Sequence, residues 1–128
     1  MARRRERLEA LAAEIGCEYW AADLSDEAQV EEMAARVLEG GPVDALVNNA
    51  GGAIGVDSVA DSDPARWSAM FDRNVLTALH CSRAFLPGMR ERGGDLVFVT
   101  STAAHDTYPG GGGYVAAKHA ERIIANTL

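Results

Sequence analysis

Cysteine is scarce in this chain: Cys17 and Cys81 are the only two, and they form no CxxC pair. A disulfide framework and a cysteine-based zinc site are therefore both excluded as organising devices, and a reducing, cytoplasmic setting fits. His80 and His119 show no metal-ligand spacing either, so no metal is expected. Long apolar runs are missing: none reaches the length of a membrane span, and the charged opening Arg3 to Glu9 lacks the apolar stretch of a signal peptide. Positive charge is in short supply, with 12 Lys and Arg against 19 Asp and Glu and a net charge of -7. That balance argues against nucleic acid as a partner, because such binding rests on neutralising phosphates. The basic cluster Arg3, Arg4, Arg5 and Arg7 is local, and its plainest reading is a solvated helix start. No internal repeat or interdomain linker is visible, which leaves one domain over residues 1–128.

What is present suits a soluble globular chain: 48% hydrophobic and 24% charged residues in 128 positions. The apolar periodicity alternates between helical and strand-like segments, the pattern of an α/β fold with a parallel sheet. Leu8, Leu11, Ala12 and Ile15 predict one helical face, stopped by Gly16. Cys17 to Ala22 reads as a short strand. Ser25 is placed to cap a helix with Val30, Met33, Ala34, Val37 and Leu38 as its buried stripe, ended at Gly40-Gly41. Val43 to Val47 predicts a buried strand. Asp63-Pro64 is a cap followed by a first-turn proline, and the helix it opens should turn Trp67, Met70, Phe71, Asn74 and Ala78 inward. Pro87-Gly88 should end or bend that helix. Leu96 to Val99 predicts a further strand, and the glycine run Gly110 to Gly113 leads into a last helix.

Residues with chemistry to offer follow the two inner strands, where open α/β sheets place their ligands. Asn48-Asn49-Ala50-Gly51 would let a flat molecule approach the backbone, although the bare string could equally be a tight Asn/Gly turn. Ser101, in Thr100-Ser101-Thr102, could bind a substrate oxygen or simply cap a turn. Tyr114 and Lys118 are four residues apart, so a helix places both on one face. A free phenol titrates near ~10, and a neighbouring ammonium favours the phenolate, which makes such a pair usable for acid/base work. Asn74 interrupts an apolar helical face, where an amide needs partners.

Taken together, Asn48 to Gly51, Asn74, Ser101, Tyr114 and Lys118 resemble the short-chain dehydrogenase/reductase family in order and spacing. That family has NNAG after its fourth strand, an asparagine in the next helix, a serine after the fifth strand and Tyr-x-x-x-Lys beyond the serine. The resemblance covers essentially the whole chain and includes Asp23-Leu24, where the family holds the adenine ring. It implies a hydride transfer between NAD(P)(H) and a small-molecule carbonyl or alcohol. Tyr114 would exchange the proton with the substrate oxygen, Lys118 would lower the tyrosine's pKa and bind the nicotinamide ribose, Ser101 would hydrogen-bond the reacting oxygen, and Asn74 would hold a relay water beside Lys118. Asn48, Ala50 and Gly51 would line the cofactor. Arg3, in the loop that meets the adenosine ribose, favours NADP over NAD.

The chain departs from the family pattern in having no TGxxxGxG string. The resemblance therefore implies a partial Rossmann-like, doubly wound sheet holding family strands 3, 4 and 5 with their helices. In the family order 3-2-1-4-5-6-7, two strands stand between the third and the fourth. Their absence would leave a gap of about ~14 Å. The third strand could then re-pair directly with the fourth, the chain could associate with other chains, or it could stay partly unfolded. The resemblance also implies a homo-oligomer when complete, with the helices starting near Pro64 and Gly111 at the subunit contacts. The alternative is a truncated, catalytically incompetent relative acting as an interaction module. A sugar-nucleotide epimerase is a lesser alternative, disfavoured by NNAG after the fourth strand. The substrate itself is not legible, and His105, Asp106, Thr107 and Tyr108 read as a surface loop more than as a pocket wall.

Overall fold

The computed structural model describes residues 1–128. At its centre two parallel strands, β1 (Ala45–Asn48) and β2 (Asp95–Phe98), pair in register from Ala45 with Asp95 to Asn48 with Phe98. Parallel neighbours need a long crossover. Here it consists of α3 (Pro64–Phe71), a π-helical turn (Asp72–Leu76) and α4 (Thr77–Arg92). Before the sheet come α1 (Arg5–Ile15) and α2 (Glu27–Glu39), and after it a 3-10 turn (Thr102–Ala104) and α5 (Gly112–Asn126). This is the α/β architecture that the alternating periodicity implies.

Two cores hold these elements. α2 packs against α4, and α4 against β1, around Val30, Met33, Ala34, Leu46, Cys81, Phe85 and Met89. Each of the Val, Leu, Met and Phe side chains among them, fully buried, contributes about 1.5–3 kcal/mol. The second core is smaller: Met70, Val75 and Ala117, flanked by Ile54, Trp67 and Tyr114, where α5 meets α3 and the π-turn. Asn74, Tyr114 and Lys118 gather at this second core.

Several local expectations hold. Gly16 ends α1 with φ 69°, a left-handed conformation that favours glycine, and its N–H donates to the Ala12 carbonyl at 2.9 Å. Asp63 caps α3 by accepting the Ala65 N–H at 2.9 Å, with Pro64 in the first turn.

Other expectations are corrected. The α2 cap is Asp26, which accepts from the Gln29 N–H, while Ser25 donates its hydroxyl to Asp23 at 2.7 Å. Both candidates are good caps, and the carboxylate one residue later wins. Leu38 is exposed, at the frayed end of its stripe. The apolar face of α1 is buried against nothing: Leu11 and Ile15 are exposed. Cys17 to Ala22 forms no strand beyond a single parallel bridge between Ala21 and Ala2, so it is not re-paired with β1. One edge of β1 is taken by β2, and the other borders an open groove, with Val47 57% exposed.

Pro87 neither ends nor breaks its helix. α4 continues to Arg92, held by the buried Phe85 and Met89 on either side of the proline. Phe71 is exposed although helical periodicity turns it inward. The reason is the π-turn, whose wider winding shifts the phase of the buried stripe from Met70 to Asn74 and Ala78.

Candidate active site

The π-turn places Asn74. Its side chain is fully buried, and its Nδ2 donates to the Met70 carbonyl at 2.7 Å and the Gly52 carbonyl at 3.0 Å. Its Oδ1 accepts the Gly52 N–H at 2.9 Å. A buried amide in an apolar face is thus fully partnered, and it ties the loop after β1 to the crossover helix. π-bulges recur at functional sites, where they re-aim a side chain without breaking the helix.

Gly51 lies against this amide. A Cβ at that position would stand 2.5 Å from Asn74 Oδ1 and 3.2 Å from Lys118 Nζ. The glycine is therefore required by close approach, and the same geometry brings Asn74, Gly51 and Lys118 into one cluster. Lys118 is only 3% exposed, and its Nζ is 2.5 Å from Oε2 of Glu121, which is completely buried. Burial pushes the Glu121 carboxyl above the usual range, an effect that the hydrogen bond and charge of Lys118 only partly offset. Tyr114 lies one turn before Lys118 on α5, half-buried against the Met70, Val75 and Ala117 cluster.

Ser101 caps the 3-10 turn that packs on α5, accepting the Ala103 N–H at 3.2 Å. Its own proton remains free to donate. His105, Asp106, Thr107 and Tyr108 follow on the exposed surface, with His105 Nδ1 3.0 Å from Arg122.

The other named residues line a groove of about 810 Å³ between the Ala2–Ala21 bridge and the free edge of β1, which is the gap expected between the family's third and fourth strands. Part of its wall is apolar, with Ala22, Leu46, Ala78 and Cys81. Part is polar, with Arg3, Asp23, Asn48, Asn49 and Arg73, and Ala50 and Gly51 add small residues. Leu24, also in the wall, accepts a hydrogen bond from His80 through its carbonyl at 3.2 Å. Arg3 reaches Asp23 at 4.0 Å. Hydrogen bonds from the Ser25 hydroxyl and N–H hold the Asp23 carboxyl below the usual range, helped by the positive charges of Arg3 and Arg73. Asn48 donates its amide to Ser82 at 3.1 Å, bracing β1 against α4. Tyr114 and Lys118 are not in the groove wall; the Asn49–Gly51 segment is the link between the two sites.

Arg73, Thr77 and Glu121 escaped the sequence reading. Arg73 and Thr77 line the groove, and Thr77 donates to the Arg73 carbonyl at 2.8 Å. Glu121 had a signal: it falls between Ala117 and Ile124 on the buried stripe of α5, a turn beyond Lys118.

Tyr114 and Lys118 thus share one helix, and Lys118 stands beside the Asn/Gly loop at the end of a parallel strand. Residues 1–128 match the family described as short chain dehydrogenase, and the chain belongs to that family. It is 48% identical over 129 residues to an uncharacterised oxidoreductase of Mycobacterium tuberculosis, covering all of this chain and 50% of that protein. It is 39% identical over 120 residues to the NADP-dependent 3-hydroxy acid dehydrogenase of Escherichia coli, covering 91% of this chain and 48% of that enzyme. Among crystal structures it resembles an alcohol dehydrogenase of Thermococcus sibiricus complexed with 5-hydroxy-NADP, with a TM-score of 0.92 and 34% identity over 98% of this chain and 56% of that one. It also resembles serine dehydrogenase of Escherichia coli, with a TM-score of 0.90 and 37% identity over 99% of this chain and 60% of that one. The chain spans about half the length of the curated relatives it matches. No helix is long and apolar enough to cross a membrane.

Proposed function

We propose that this chain carries the acid/base half of an NADP-dependent dehydrogenase acting on a small carbonyl or alcohol. The observation that carries this reading is the buried Lys118, held against Gly51 and Asn74 one helical turn from Tyr114. A buried ammonium has a chemical use that a surface one lacks, because the low local dielectric strengthens its field.

Tyr114 donates its proton to the substrate oxygen during reduction and takes it back during oxidation. Lys118 offers N–H donors to a ribose diol. Ser101 donates its free proton to the same substrate oxygen. Asn74 fixes the floor of the site by holding Gly52 from both sides.

The residues present suit a dinucleotide. Gly51 exposes backbone where any side chain would collide, and the polar part of the groove wall offers Arg3, Asp23 and Arg73 to an adenosine ribose, with Arg3 the contact for a 2′-phosphate. When bound, the nicotinamide supplies or accepts the hydride. NADP-dependent enzymes among the relatives support this cofactor over NAD. The experiment is NADPH consumption with a panel of aldehydes and ketones, comparing the wild type with Tyr114→Phe. Turnover confined to the wild type is expected, and equal turnover in the two would overturn the reading.

A further inference from the structure

Lys118 has a partner that the proposed chemistry does not use. Glu121 is completely buried, only its Oε2 is engaged, and its Oε1 is buried with no hydrogen-bond partner. A carboxylate at this depth is unfavourable unless something requires it, since burial penalises its charge and an unpartnered oxygen adds to the cost. An apolar residue would continue the stripe of Ala117 and Ile124 without that cost.

We infer that Glu121 is a positioning residue for Lys118: its carboxylate anchors the ammonium from below, so that the remaining N–H donors present themselves at the Gly51 and Asn74 surface. The inference rests on the proposed role of Lys118 toward a ribose diol, but the pair itself can be tested without any cofactor.

The geometry favours this reading over a chance contact. A lysine side chain carries four rotatable bonds, and a free ammonium would seek water. Lys118 instead stays in the interior, 3% exposed, because one buried carboxylate lies three residues ahead on its own helix. The charged and titratable groups on the neighbouring elements are otherwise occupied or directed elsewhere. On α3, Arg66 pairs with Asp57 at 3.0 Å. On the π-turn, Arg73 lines the groove and Asp72 makes no ion pair with α5. After the 3-10 turn, His105 meets Arg122, and on α5 His119 Nδ1 is 3.0 Å from the Val115 carbonyl. Tyr114 is the remaining titratable group on this face of α5. Glu121 therefore has Lys118 as its single ionic partner.

Burial holds the Glu121 carboxyl above the ordinary range near ~4.3. As pH falls through that raised value the carboxylate takes up a proton, and Lys118 loses its counter-charge.

The test uses the fact that Lys118 is the only lysine in the chain. Uniform labelling with 15N-lysine gives one side-chain nitrogen resonance, which needs no assignment. In the wild type the resonance should be protected from solvent exchange and should move in one step at a pH above the ordinary glutamate range. In Glu121→Gln the step should vanish and the ammonium protons should exchange too fast to detect, while Glu121→Asp, which keeps the charge one methylene shorter, should restore the step. A flat wild-type titration overturns the inference, as does a step that survives in Glu121→Gln. Should Glu121→Gln fail to fold, the wild-type titration alone decides. NADPH binding is then measured on the same sample. Absence of NADPH binding with the Glu121 step intact would refute the proposed function and leave the pairing standing, so the two failures are separable.

Discussion

Gly51→Ala is a one-atom perturbation whose effect can be worked from the structure. The added Cβ would lie 2.5 Å from Asn74 Oδ1, 3.2 Å from Lys118 Nζ and 3.4 Å from Asn74 Cγ. The backbone at Gly51 has a negative φ, so the cost is collision and not conformational strain. Asn74 cannot swing aside cheaply, because its amide is fully buried and makes three hydrogen bonds, two to Gly52 and one to Met70. Moving it strands buried polar groups at about 1–3 kcal/mol each and overpacks the site at a similar cost. A net loss of about 2–4 kcal/mol is expected, which lowers Tm by roughly 8–16 °C in a chain of this size. Thermal unfolding followed by circular dichroism reads it directly. The same substitution in an Asn74→Ala background has no amide to strike and should cost at least about 1 kcal/mol less. A Gly51→Ala shift under about 2 °C, or full additivity with Asn74→Ala, would refute the contact as described.

Tyr114→Phe should abolish turnover with NADPH affinity largely spared, as read by paired kinetics and cofactor titration; substantial residual turnover would remove Tyr114 from its assigned role. Arg3→Asp should erase or reverse the preference for NADP over NAD, measured as the ratio of dissociation constants, and an unchanged ratio would move the phosphate contact elsewhere. Asp23 and Glu121 should affect acid stability in opposite directions. The folded-state pKa of Asp23 is depressed by Ser25, so its contribution is present above the unfolded value and is lost as pH falls through the folded one. That of Glu121 is raised, so between the ordinary value and the raised one the folded chain holds the extra proton and gains stability on acidification. Ser25→Ala should flatten the first slope and Glu121→Gln the second, in melts recorded across the acid range.

How much of this was legible in the sequence depended on whether local rules or tertiary partners decided each residue. Asp63-Pro64 and Gly16 follow local capping chemistry, and both were read in place. Strands β1 and β2 were found within two residues, because short apolar runs between turn signals leave little freedom. Phe71 was misplaced because a π-turn adds a residue to the winding and leaves no mark in composition. The strand expected at Cys17 to Ala22 failed because strand propensity needs a neighbour, and here only Ala2 supplies one. In the site, Asn74 is legible as an amide on an apolar face, whereas Glu121, on the stripe of α5, reads as an ordinary i, i+3 surface partner of Lys118 until burial of both is known. Arg73 and Thr77 could not be read as groove residues without knowing that the crossover helix faces the β1 edge.

The central claim is that Lys118 belongs to a dinucleotide site. The most direct measurement is the single 15N-lysine side-chain resonance of the 128-residue chain during an NADPH titration. A saturable shift is expected, weaker with NADH and weakened again in Arg3→Asp. A resonance that does not move at saturating NADPH, in a chain shown by the same sample to be folded, would contradict it.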